Sequence, residues 1–172
     1  MNIENNKCKL GGIFTFEQYR DGKLYDAWED HNIVTDESLT YALNAAYSNG
    51  TILPTWYLGV FKNNYTPLST SVASTFAGAG VANEATTEYT EATRPVWNDG
   101  AGAAAKVISN SASPAVFTFN TGVTIYGALL ISGNVKGGLT GTLGAASKFA
   151  ASRVMIAADV LNVTYTLTAS ST

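Results

Sequence analysis

The chain has little charge for its size. Of its 172 residues, 10 are basic and 13 acidic, so 13% carry a formal charge, whereas an ordinary soluble domain has about 25%. A hydrophobic fraction of 46% and an aromatic fraction of 11% exclude a disordered chain, which would be poor in aromatic residues and high in net charge. The net charge of −3 supplies no basic field for a phosphate backbone, so we expect no direct nucleic-acid partner.

Cysteine and long apolar runs are also scarce. Cys8 is the single cysteine, which excludes an internal disulfide and a thiolate pair for zinc. Residues 1–7 are polar and no apolar run of a secretory signal follows them. The longest apolar stretch, residues 123–131, is far shorter than the about 20 residues that cross a bilayer. We therefore expect a protein made in the cytoplasm, with no membrane partner.

The few charges are unevenly distributed. Residues 1–37 hold 12 of them, with a sum of −4, and the other 135 residues hold 11, with a sum of +1. A free monomer usually intersperses charge over its surface and its sheet edges. Two explanations are open: a neutral surface rich in Thr and Asn, or a surface covered by partners, because interface centres are poor in charge and rich in Tyr, Trp and Phe.

The first elements can be placed from turn and cap signals. Residues 13–20 and 23–34 are typical of two strands, and Asp21-Gly22 between them is a strong hairpin turn. A helix is predicted from Asp36 to about Ser48, with a Thr or Asp N-cap. Its apolar positions follow the helical period and predict a stripe packed against a sheet; they are Leu39, Ala42, Leu43 and Ala46.

The rest of the chain favours short strands. Residues 55–62 are typical of a buried central strand, and residues 161–168 alternate apolar and uncharged polar side chains. Further strands are predicted at 86–89, 106–110, 115–120 and 123–132, and a long loop at 67–83.

These elements predict a mainly β fold, an antiparallel β-sandwich or jelly-roll-like domain with one short α-helix and an N-terminal β-hairpin arm. The arm and hairpin would occupy residues 1–35. The sandwich, with the initial helix at 36–48, would occupy residues 36–172.

No residue pattern indicates catalysis, a cofactor or a metal. His31 is the only histidine, and its sequence neighbours on a strand point to the opposite face, which does not build a triad. Asp26 and Asp30 would lie about 13 Å apart at strand rise, too far for paired-carboxylate glycoside hydrolysis. The glycine-rich segments 78–83 and 137–144 lack a nucleotide-binding pattern and are interpreted as flexible connections. We predict a protein that is not an enzyme and needs no cofactor.

Residues 28–43, which read WEDHNIVTDESLTYAL, resemble a segment of structural proteins of tailed-bacteriophage virions. In that family an Asn-hydrophobic-Val-Thr step leads into a Gly-Leu helix, and Ser38 stands here where Gly is usual. Segments 55–61, 65–67, 89–95, 136–138 and 162–167 are also similar, so the resemblance covers most of the chain from about residue 12. It implies a capsid decoration or cement protein of the virion, made in the host cytoplasm, and transfers no catalytic residue.

Such a protein would act by protein–protein contacts with the major capsid protein and with copies of itself, as a homo-oligomer on the particle. We expect the acidic hairpin, residues 11–34, to dock on the partner, with strand addition at its edge, and loop 67–83 to lie outside or to order on contact. The candidate interface residues are Phe14, Phe16, Tyr19, Tyr25, Asp26, Trp28 and Asp30.

Two alternatives are open at this point. One is a phage tail or head–tail adaptor component. The other is a carbohydrate-binding β-sandwich module, for which the tryptophans Trp28, Trp56 and Trp97 would supply stacking surfaces.

Overall fold

The protein is an antiparallel β-sandwich, as the sequence predicts. The computed structural model describes residues 8–100 and 102–171. The first sheet has the order β2-β1-β10-β6, with β7 also paired to β10; its strands are β1 (Cys8–Arg20), β2 (Lys23–His31), β6 (Val107–Ser109), β7 (Ala115–Thr118) and β10 (Val160–Ser171). The second sheet has the order β3-β9-β8-β4-β5; its strands are β3 (Ile33–Val34), β4 (Trp56–Phe61), β5 (Val96–Trp97), β8 (Val123–Ile131) and β9 (Leu143–Met155).

The N-terminal hairpin is built into the first sheet. Asp21 and Gly22 adopt φ of 51° and 72°, the left-handed conformation of a two-residue turn whose twist matches the flanking strands. β1 lies between β2 and β10 and pairs with β10 from Cys8 to Tyr19. The hairpin therefore does not stand apart from the sandwich as an arm. At Asn32 the chain leaves this sheet, and β3 joins the second sheet beside β9.

The core lies between the two sheets, and strand alternation explains its composition. Along β10 the buried residues Leu161, Val163 and Tyr165 alternate with half-exposed polar residues, because successive side chains of a strand point to opposite faces. β1 contributes the fully buried Phe14 and Phe16. A smaller apolar cluster around Phe61 and Phe76 lies at the other side of the second sheet.

Two helices complete the described chain. Helix α1 (Asp36–Tyr47) begins at Thr35, whose side chain accepts a hydrogen bond from the Ser38 amide at 3.2 Å, so the predicted cap and bounds are confirmed. Helix α2 (Ala73–Phe76) is a single turn inside the segment predicted as a long loop. Phe76 and Ala82 are fully buried there and anchor the segment in the protein, while Leu68 and Val81 are exposed at its surface. No helix in residues 8–100 and 102–171 has the length and hydropathy to cross a membrane.

Three elements differ from the sequence predictions. Residues 86–89 form only an isolated bridge between Tyr89 and Phe119 instead of a strand. β5 was not predicted, since two residues carry no periodic signal. β9 was not predicted either, because small residues dominate it (LGAASKFAASRVM) and only Phe149 and Val154 are of the aromatic and β-branched types that mark strands.

Candidate interaction surface

Two of the predicted interface residues are in the core. Phe14 and Phe16 are fully buried, and the ring of Phe14 lies 4.4 Å from that of Tyr165, centroid to centroid. Their assignment to an interface is therefore wrong. An aromatic residue on a central strand faces either the core or the solvent, and the strand register places Phe14 and Phe16 in the core.

Trp28, Asp26 and Asp30 also lie on the inward side of the hairpin, where each has a partner. The Trp28 ring stacks on Phe16 with centroids 5.0 Å apart. Asp26 forms an ion pair with Arg153, in which Oδ2 lies 3.2 Å from Nε. Asp30 Oδ1 accepts a hydrogen bond from the Ala150 amide at 3.0 Å, and burial raises the pKa of this carboxyl above its usual value.

These contacts close the gap between the edges of the two sheets. Side chains of β1 and β2 bind backbone groups of β9 directly: Gln18 Nε2 donates to the Val154 carbonyl at 3.2 Å, and Asp30 accepts from the Ala150 amide. Asp26, Trp28 and Asp30 thus hold the sandwich closed on this side.

The tyrosines of the hairpin differ from these residues because they are accessible. Tyr25 is 60% exposed, and the guanidinium of Arg20 lies 4.0 Å from its ring centroid. Tyr19 is half-buried, and its hydroxyl donates to Glu17 at 3.0 Å. Tyr25 and its neighbour Leu24, 57% exposed, are the apolar groups that the hairpin tip presents to a partner.

The outer face of the first sheet is rich in hydroxyl groups. Thr15 of β1 pairs with Thr164 of β10, and Thr166 of β10 pairs with Ser109 of β6, the two hydroxyls lying 2.8 Å apart. We call this surface the threonine face; it consists of Thr15, Glu17, Glu29, Ser109, Asn162, Thr164 and Thr166. Two of these seven side chains, Glu17 and Glu29, are acidic, so the threonine face combines hydroxyl groups with a weak negative field.

Most charges of the remaining body are neutralised within the chain. Four ion pairs form among the described residues: Arg20–Asp159, Lys62–Glu88, Glu84–Arg94 and Asp26–Arg153. They use six of the eleven charged residues beyond residue 37. The surface is therefore even poorer in free charge than the composition indicates.

The Glu84–Arg94 pair is the most deeply buried of the four, with no exposed surface on either side chain. Arg94 Nε and Nη2 donate to the two carboxylate oxygens at 2.7 and 2.6 Å, and Nη1 donates to the Gly133 carbonyl at 2.6 Å. Glu84 also accepts from the Gly137 amide at 2.8 Å. This pair fixes the segment around residues 133–137, which was interpreted as a flexible connection from residue 137 onward.

Helix α1 exposes the apolar stripe that was predicted to pack against a sheet. Leu43 is 61% exposed and Tyr47 is 85% exposed, and α1 has no buried residue. At 100° per residue, Leu39, Leu43, Ala46 and Tyr47 share one side of the helix, which we call the α1 face. The predicted packing of this stripe is wrong.

The opposite side of α1 holds the helix on the protein through polar and aromatic contacts. The Tyr41 ring lies 5.5 Å from that of Trp56, edge to face, and its hydroxyl accepts from the Leu53 amide at 2.9 Å. Glu37 accepts from the Leu143 amide at 2.9 Å, and the buried Thr35 hydroxyl donates to the Leu143 carbonyl. These contacts orient the helix with its leucines outward.

The lack of charge in this part of the sequence is a second signal for the exposed surface, and hydrophobic periodicity does not detect it. No charged residue occurs from Ser38 to Phe61, a segment that includes the exposed helix and Ile52, which is 72% exposed. A solvated surface helix normally carries charge on its outer side. Between α1 and the sandwich lies a groove of about 440 Å³ lined by residues that include Tyr41, Leu53, Trp56 and Trp97.

The remaining candidate residues do not assemble into a reaction centre. His31 is exposed at the end of β2, and its carbonyl accepts from Ser147 Oγ at 2.8 Å. Trp97 is buried and its indole donates to the Tyr165 carbonyl at 3.0 Å; Trp56 packs partly buried against the core. Within residues 8–100 and 102–171 no group of three His, Cys, Asp or Glu side chains is placed to hold a metal ion.

Comparison with known proteins gives no assignment: no protein-family model matches the chain, and no curated protein sequence matches it.

Proposed function

We propose that this protein is a structural component of a tailed-bacteriophage virion that binds the outside of the capsid and stabilises it through protein–protein contacts. The observations that support the proposal are two exposed surfaces on different parts of the molecule: the threonine face, which is rich in hydroxyl groups and carries two acidic side chains, and the α1 face, which exposes leucines and a tyrosine without charge. Depletion of charge and exposed aromatic residues, as on the α1 face, are typical of interface centres, whereas a free monomer would keep more charge there.

The threonine face supplies a docking surface for the major capsid protein. It is built on a sheet of five strands, so its hydroxyl and amide groups are held in fixed positions before binding, which reduces the entropy lost on association. Glu17 and Glu29 give it a negative field that favours a basic patch on the shell and steers the encounter. The exposed Leu24 and Tyr25 extend this surface at the hairpin tip.

Stabilisation of the capsid then follows from mass action. A protein that binds the assembled shell and not its separated subunits lowers the free energy of the assembled state by an amount that grows with the logarithm of its concentration relative to the dissociation constant. No bond is made or broken in this activity. The resemblance to virion structural proteins and the uncharged surfaces both support it.

Binding of the purified chain to heads assembled without it tests the proposal. We expect saturable binding, measured by co-sedimentation, and a higher temperature of head disruption, measured by light scattering. Binding to tails with none to heads would favour the tail or adaptor alternative and contradict the capsid role.

A matched pair of variants locates the docking surface. Thr15 lies on the threonine face and Thr90 lies in a loop outside it, and both are exposed. Thr15→Arg is expected to weaken head binding at least about tenfold, because the large side chain intrudes on the centre of the face and its charge, opposite Glu29, cancels part of the negative field that favours a basic patch. Thr90→Arg adds the same charge and should leave binding unchanged; equal effects of the two variants would place the docking surface elsewhere.

A further inference from the structure

The groove of about 440 Å³ between α1 and the sandwich opens onto the apolar core. Its lining comes from both sheets and includes Leu10, Ile108 and Leu167 of the first sheet and Leu130 of the second. Ile108 and Leu167 pack against the main core cluster but are only half-buried, as is Leu10. Protein interiors are normally close-packed, so this end of the core is an accessible apolar site of the size that small-molecule ligands occupy.

The aromatic wall of the groove is held in place by strand pairing and hydrogen bonds. Trp56 and Trp97 lie directly opposite each other on β4 and β5, and Tyr41 of α1 packs edge to face on Trp56. The Trp97 indole donates to the Tyr165 carbonyl, and the Tyr41 hydroxyl accepts from the Leu53 amide. These rings are therefore fixed before a ligand arrives, which lowers the entropy cost of binding, and the faces of Trp and Tyr rings attract cations.

The charge of the groove determines which head group fits it. Among the described residues that line the groove, Asp99 is the only charged one, and it takes part in none of the four ion pairs. An anionic ligand would be held near this carboxylate with no basic group in the lining to compensate, whereas a cation would be attracted both by Asp99 and by the aromatic rings. Ser38, Thr55 and Asn98 add uncharged hydrogen-bonding groups to the lining.

We propose that this groove binds a small amphipathic organic cation. The aliphatic part of the ligand packs against the leucines and Ile108, and its ammonium group lies between Asp99 and the aromatic wall. The groove residues named above belong to neither the threonine face nor the α1 face, so this inference goes beyond the capsid role and does not depend on it.

Two ligands with the same chain and opposite charge test the head-group preference. Decyltrimethylammonium and decanoate are titrated separately into the purified full chain by isothermal titration calorimetry, each below the concentration at which it forms micelles. We expect saturable binding of decyltrimethylammonium at least about tenfold tighter than that of decanoate. Tetramethylammonium, which has the head group without the chain, should bind at least about tenfold more weakly than decyltrimethylammonium because it lacks the apolar contact.

A matched pair of variants tests the role of the Asp99 charge. Asp99→Asn is expected to weaken the binding of decyltrimethylammonium at least about fivefold without weakening that of decanoate. Asp21→Asn is the control, because it removes the same charge at the hairpin turn, where Asn tolerates the φ of 51°. This control should leave the affinities for both ligands unchanged.

A second pair of variants tests the location of the ligand. Ala42 lines the groove and is half-buried, whereas Ala46, one turn further along α1, is exposed on the α1 face. Ala42→Phe fills part of the groove and is expected to weaken the binding of decyltrimethylammonium at least about tenfold. Ala46→Phe should leave it unchanged, and circular dichroism checks that each variant is folded.

Several outcomes would overturn the inference. One is the absence of saturable decyltrimethylammonium binding, and another is decanoate binding of equal affinity. A loss in Asp21→Asn as large as that in Asp99→Asn would show an effect of net charge alone, and unchanged binding by Ala42→Phe would place the ligand elsewhere. Binding of glucose or maltose without binding of the cation would make the groove a saccharide site instead. All of these titrations use the purified chain without heads, so failure of this inference and failure of the capsid role give different results.

Discussion

At the scale of single residues, the Glu84–Arg94 pair combines full burial with hydrogen bonds to backbone groups of another segment. Removing one partner of a buried pair leaves an uncompensated charge, which costs about 3 to 5 kcal/mol. Arg94→Met is therefore expected to lower the free energy of unfolding by about that amount, measured by urea denaturation. Lys62→Met, at the partly exposed pair with Glu88, is the control and should cost about 1 kcal/mol or less. Equal losses in the two variants would contradict the structural role of the buried pair.

The lowered pKa of Asp159 predicts that the folded protein loses stability as the pH falls. A hydrogen bond from Arg20 holds the pKa of this carboxyl below its usual value, and Oδ1 and Oδ2 lie 2.9 and 2.7 Å from that guanidinium. Because the pKa is lower in the folded than in the unfolded state, the ionised group stabilises the fold above the ordinary Asp pKa of about 3.9 and this contribution disappears as the pH falls through the folded value.

Asp159→Asn is thus expected to be less stable than the natural sequence at neutral pH and to approach it below the ordinary Asp pKa. Urea unfolding at several pH values measures the difference. A gap between the two proteins that is independent of pH would show that the loss comes from packing and not from the charge.

At the scale of elements, the hairpin shows the most important difference between the sequence prediction and the structure. As a separate arm it would be removable, but β1 is a central strand and Phe16 is fully buried. Phe16→Ala is expected to cost about 3 to 5 kcal/mol through lost burial and the cavity it leaves. Tyr25→Ala at the exposed tip should cost about 1 kcal/mol or less. If Phe16→Ala were equally mild, the hairpin would be an independent arm after all.

Local signals explain which elements were predictable. The Asp21-Gly22 turn, the Thr35 cap and the alternation along β10 are each determined by neighbouring residues, so the hairpin, the helix bounds and the last strand could be predicted from the sequence. β9 could not, because alanine and serine, which make up much of the strand, have no strand preference of their own.

Only part of the candidate surface could be predicted, because its exposure depends on contacts between residues that are distant in the sequence. The helical period of 3.6 residues identified the ridge of Leu39 and Leu43. Periodicity does not show whether this ridge packs within the chain or faces outward. The orientation of α1 is decided by tertiary contacts of Tyr41 and Glu37 with distant residues. The absence of charge from Ser38 to Phe61 is the sequence signal that distinguishes the two cases.

At the scale of the whole molecule, internal ion pairs absorb much of the charge. The α1 face is left without charge and the threonine face carries only Glu17 and Glu29. The sandwich holds these two surfaces in fixed positions on different elements, which suits the proposed contacts with a larger assembly.

Electron microscopy of the particle that contains the protein tests this account most directly. We predict density for the sandwich on the outside of the head, with the threonine face against the shell. Density at the tail, or on the head with the threonine face turned to solvent, would contradict the account.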